Sequence, residues 1–124
     1  MIDAEDDEAD TESDDAAPGE RVKAALSPNL SGKQRRFLRA RGHHLKAVLH
    51  LGHEGITEAV IKQALVLLQA HELIKVKVGE GAPDGRHASA GKLAAATQSE
   101  LAQVLGRTFL IFKKRKKDSR INLP

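Results

Sequence analysis

The chain has 124 residues, with 20 Lys or Arg, 17 Asp or Glu and no cysteine, which leaves room for one domain plus tails. The missing cysteines exclude disulfides and thiolate zinc sites, and no apolar run approaches the ~20 residues of a membrane helix. The net charge of +3 conceals a split: residues 1–20 carry ten acids and no Lys or Arg (−10), whereas residues 21–124 carry twenty Lys or Arg against seven acids (+13).

A domain this basic attracts phosphate backbones through long-range steering and counterion release. A solvated, solubilising surface is the plainer reading, but concentrated charge also costs self-repulsion. The N-terminus lacks the basic start and apolar core of a signal peptide, so the cytoplasm is the expected location. Phe37, Phe109 and Phe112 are the only aromatics besides histidine, which argues against sheets that stack bases on exposed Tyr, Trp or Phe.

Residues 1–29 read as a disordered acidic tail, and residues 30–124 as the domain. The tail either folds over the basic surface as a phosphate mimic or serves only solubility. Ser31-Gly-Lys-Gln34 fits a capping box and opens a helix that Gly42 is expected to end. At 100° per residue Gln34, Phe37, Leu38 and Arg41 share one face, opposite Arg35, Arg36 and Arg39. Ala47–Leu51 reads as a short buried strand that runs into Gly52-His-Glu-Gly55. Thr57 then caps a helix, with Ile56 and Ile61 at staple spacing and Ile61, Ala64, Leu65 and Leu68 as its apolar stripe.

Leu73–Val78 alternates, with Ile74, Val76 and Val78 on one face and Lys75 and Lys77 on the other. Residues 79–86 form a turn-rich loop, and Ala88–Gln98 a third helix despite Gly91. Leu101–Leu105 is a weaker strand, Gly106-Arg107 a tight turn, and Thr108–Phe112 a strong strand. The basic run Lys113–Arg120 follows, as a phosphate-binding arm or a solvated end, and then Ile121 and Leu123. The order is α-β-α-β-α-β-β, which predicts an α/β domain with a four-stranded sheet and helices packed on one face.

Gly52-X-X-Gly55 combines bare backbone with a helix N-terminus, a pairing that suits a phosphate. KH domains clamp nucleic-acid backbones with such a turn, although the pattern also serves as a plain strand-to-helix connection. The histidines (His43, His44, His50, His53, His71 and His87) lack HExxH spacing or a cysteine partner, so no metal or other cofactor is expected. No nucleophile–base pair, Walker loop or paired buried carboxylates support an enzyme.

Four segments in order carry a resemblance: Leu30-Ser-Gly-Lys-Gln-Arg35; His44-Leu-Lys46 with Leu51–Thr57; His71–Lys77; and Val104–Phe112. Together with the close at Arg120–Pro124, they resemble the CRM domain of YhbY-like bacterial RNA-binding proteins. The resemblance covers residues 30–124. It implies a fold like the C-terminal domain of translation initiation factor three, and association with precursors of the large ribosomal subunit. It also implies RNA binding through Gly52 and Gly55, with Lys33 and Lys75 as basic contributors. One departure is visible: the family's last strand often ends in Tyr-Arg, and this chain has Phe112-Lys113.

The expected function is thus non-catalytic RNA binding in ribosome assembly, by a monomer that needs no membrane. The expected contacts are Gly52, His53, Glu54 and Gly55 of the turn, with Lys33, Arg35, Arg36, Arg39, Lys75, Lys77, Arg107, Lys113, Lys114 and Arg115. The alternative is a protein-interaction adaptor whose basic face meets an acidic partner.

Overall fold

The computed structural model describes residue 26 and residues 29–124, and the expected acidic tail falls almost wholly outside them. The elements are α1 (Gly32–His43), β1 (Ala47–Leu51), α2 (Glu58–His71), β2 (Leu73–Val78), α3 (Arg86–Thr97), β3 (Glu100–Leu105) and β4 (Thr108–Phe112). They match the expected α-β-α-β-α-β-β order. The strands form one sheet in the order β1-β2-β4-β3. β1 and β2 are parallel and joined through α2, since a parallel pair needs a crossover. β4 pairs antiparallel with both β2 and β3, so the sheet is mixed.

Local signals account for the helix starts. The Ser31 side chain accepts from Gln34 N, while Gln34 Oε1 accepts from Ser31 N, each at 3.0 Å. Thr57 Oγ1 accepts from Val60 N at 3.2 Å and caps α2. The apolar stripe of α2 holds at Ala64 and Leu68, which are buried, and half-buried Ile61, but Leu65 turns outward. α3 starts two residues earlier than the composition suggests, after Gly85.

The sheet has a core on each side. Leu49, Leu51, Ile74, Val76, Val78, Phe109 and Ile111 meet Ala64 and Leu68 of α2 and Ala90 and Leu93 of α3. The opposite side buries Leu73, Ala102, Leu110 and Phe112 against Leu30 and Leu38, with Ile121 closing the cluster. The expectation of helices on one face therefore holds for α2 and α3, while α1 packs on the other. The cause is the apolar content of Leu73, Leu110 and Phe112, which alternate with the residues of the first core and need their own cover.

Gly42 does not end α1, which continues to His43 with His44 as C-cap. It is buried, and a Cβ there would overlap the side chain of Leu110. This glycine is the point where helix backbone lies directly on the sheet.

Glu72, at the junction of α2 and β2, is 1% exposed. Its Oε2 accepts from Arg115 N at 2.8 Å and Ser119 Oγ at 2.6 Å; its Oε1 accepts from Arg120 N at 2.7 Å and Ile121 N at 3.1 Å. One carboxylate thus gathers the segment after β4 and seats Ile121 in the second core.

Candidate nucleic-acid interface

The turn after β1 is closed by a hydrogen bond from Gly55 N to Gly52 O, 2.9 Å. Its two glycines differ. Gly55 is buried with φ +68, and a Cβ on it would lie 2.8 Å from Pro83 Cγ. Gly52 is exposed, and a Cβ there would meet nothing within 4 Å. Gly55 shapes the turn, and Gly52 leaves its outer surface bare. His53 and Glu54 are exposed at the tip, and a shallow depression of about 240 Å3 runs from the turn to Thr57 and Val60 at the start of α2. A phosphate entering it would meet the positive end of the helix dipole.

The placement of α1 decides how the cations group. Lys75 and Lys77 alternate with core-facing Ile74, Val76 and Val78, and so point to the side of the sheet that α1 covers. Lys33 and Arg36 are exposed on α1, and Lys77 is exposed on the sheet face that α1 covers. Lys77 pairs in register with His50, two residues before Gly52, which links the cationic side to the glycine turn. Arg35 and Arg39 are half-buried, so α1 does not display Arg35, Arg36 and Arg39 equally. Arg35 Nη1 donates to Leu30 O at 2.9 Å.

Arg107, Lys113 and Arg115 are tied to backbone carbonyls. Arg107 donates from Nε to Val78 O at 3.1 Å and from Nη2 to Gly79 O at 2.9 Å, fastening the β3–β4 turn to the end of β2. Lys113 Nζ donates to Thr97 O at 2.8 Å. Arg115 donates to Gln69 O at 3.1 Å and Asp118 O at 2.6 Å. With Lys114 it lies beside Leu65 and Gln69 of α2, on the far side of the sheet from α1. The expected contacts thus form one group around α1, Lys75, Lys77 and the glycine turn, with Arg107 fastened to Gly79, whose N–H donates to Leu51 O next to that turn, and a second group at 113–115. At the family's Tyr-Arg position, Phe112 is buried in the second core and Lys113 holds the end of α3. Both residues serve the fold.

Sequence reasoning missed Glu72 and the setting of Arg41, His44 and Lys46. An acid at a helix C-terminus opposes the helix dipole, and that anomaly was the available signal for Glu72. Among the described residues no group of three or more His, Asp or Glu could hold a metal ion, and no helix is long and apolar enough to cross a membrane.

The fold and surface define a small α/β domain that presents a glycine turn beside a cationic helix-and-sheet side. Residues 30–113 match the CRS1/YhbY (CRM) domain. The chain belongs to that family. It is 38% identical over 95 residues to the Bacillus subtilis protein named "Probable RNA-binding protein YqeI", a match spanning 77% of this chain and 99% of that one. It is 36% identical over 91 residues to "Probable RNA-binding protein PA4753" of Pseudomonas aeruginosa, covering 73% of this chain and 88% of that protein. The solution structure of the hypothetical protein SAV1595 from Staphylococcus aureus superposes with a TM-score of 0.66 at 40% identity, over 77% of this chain and 99% of that one.

Proposed function

We propose that this protein is a non-catalytic RNA-binding module that holds ribosomal RNA in precursor large ribosomal subunits during their assembly in the cytoplasm. The observation that carries the reading is the exposure of Lys33, Arg36 and Lys77 on the side of the sheet that α1 covers, with Lys77 in register with His50, two residues before the bare backbone at Gly52. Its relatives' names supply the partner class, and the ribosomal assignment rests on the family resemblance. Phosphate contacts of this kind position an RNA without selecting its sequence. Selection then comes from RNA shape and from exposed bases.

Titration of structured ribosomal RNA fragments at several salt concentrations tests the reading. Replacing Lys33, Arg36 and Lys77 by Ala is expected to weaken binding to most RNAs alike. It should also flatten the log-affinity versus log-salt slope by up to ~0.7–0.9 for each phosphate the variant no longer neutralises. An unchanged slope removes this side of the molecule from the interface. These positions are preferable to Arg35, whose bond to Leu30 mixes folding into the result.

The ten acids of residues 1–20 motivate a second measurement. If they compete with RNA for the basic side, deleting residues 1–28 tightens binding, most of all at low salt where screening is weakest. Equal low-salt affinities leave the tail only a solubilising role.

A further inference from the structure

A groove at the C-terminal end of α1 belongs to neither the glycine turn nor the exposed cations Lys33 and Arg36. It lies between α1, the link Leu45–Lys46 and the first residues of β1 and β2, with a volume of about 480 Å3. Its floor is apolar: Leu73 and Ile121 are buried there, while Val48 is 42% and Leu45 37% exposed. Its rim carries the cations Arg41, Lys46 and Lys75 and the rings of His44 and His71. None of the described lining residues is acidic.

Two of the rim groups are held in place. The His44 ring meets His43 edge-on, with centroids 5.3 Å apart. The Arg41 guanidinium lies 5.7 Å from the centre of the Phe37 ring, one helical turn back. Leu45 and Val48 thus leave an apolar surface open inside a cationic rim. Phosphate alone would be met by the cations and would leave the floor unused.

We infer that this groove takes an unstacked nucleobase of single-stranded RNA, with the adjoining phosphate held by Lys46 and Lys75. A base offers two π faces to the apolar floor and to the planar imidazole and guanidinium groups, and its backbone brings the negative charge the rim requires. A base inside a duplex is stacked and paired, and cannot enter. The inference rests on the RNA-binding reading and adds to it a preference for unpaired nucleotides. It also gives a role to His44 and His71, whose spacing excludes the usual metal motifs.

The test compares two labelled RNAs of equal nucleotide number, a blunt duplex and a duplex with an unpaired extension, by fluorescence anisotropy. His44→Ala is expected to lower affinity for the extended RNA about tenfold, the scale of one base–ring stack removed, and to leave the blunt duplex unchanged. His44→Phe, which keeps a ring, is expected to retain the preference. Val48→Glu places a carboxylate on the floor and is expected to act like His44→Ala; melting curves of all three variants confirm that they fold. Equal losses on the two RNAs, or no loss on either, overturn the groove assignment and leave RNA binding standing. The second outcome assigns the apolar floor to another occupant, such as a protein. A parent protein that binds neither RNA removes both readings.

Discussion

Replacing Glu72 by Ala is expected to lower the melting temperature by roughly 10–20 °C. Four donors converge on this carboxylate, three of them backbone N–H groups. Removing it strands them and releases Ile121 from the second core, a cost on the order of 3 kcal/mol. The charge itself contributes. Burial opposes the ionised form, but the bonds from the Ser119 hydroxyl and from the N–H groups of Arg115, Arg120 and Ile121 outweigh it. Together they bring the Glu72 pKa down from 4.5 to about 2. A carboxylate depressed on folding stabilises the native state fully above its unfolded pKa, and that contribution is lost as pH falls through the folded one. The stabilisation, roughly 3 kcal/mol, is therefore present at neutral pH and disappears between about pH 4.5 and 2. Glu72→Gln keeps the shape and removes the titration. Denaturant unfolding of parent and Gln variant across this range should show their stability gap closing as pH falls; a constant gap removes Glu72 as the origin of the acid sensitivity.

The second large effect concerns RNA affinity and separates the two turn glycines. Gly52→Asp is expected to leave the melting temperature close to the parent's, because its Cβ enters open space. It is expected to weaken RNA binding about tenfold or more, since a carboxylate then occupies the approach of a phosphate. Gly55→Asp behaves differently. Its φ of +68 and the nearby Pro83 ring make any side chain there strained, at a cost of about 1–3 kcal/mol in stability. Melting temperature and RNA affinity measured on both variants distinguish the roles. Parental affinity in Gly52→Asp makes the turn a strand-to-helix connection and nothing more.

Much of this molecule is written in short stretches of chain. The Ser31–Gln34 capping box, the Thr57 cap and the alternation of Leu73–Val78 each depend on groups a few residues apart, and each is present as the residue types require. The four motifs that mark the CRM family are equally local, so family and element order were available before any coordinates. The sequence also placed the glycine turn and the excess of cations.

Only the tertiary structure decided which side of the sheet each element covers. Alternation in β2 and β4 shows that neighbouring residues face opposite ways, but which side α1 takes depends on Leu38 and Gly42 meeting Leu110, some seventy residues on. That one choice puts Lys75 and Lys77 on the side that α1 covers, while Lys114 and Arg115 lie against α2. The Glu72 clasp, which spans 43 to 49 residues, and the groove, which draws on α1, β1, β2 and Ile121, have the same origin. Capping and periodicity arise from hydrogen bonds and sterics within one or two turns of chain. Contacts between distant segments depend on which apolar surfaces remain to be covered once those local elements exist, a quantity no single stretch of sequence contains.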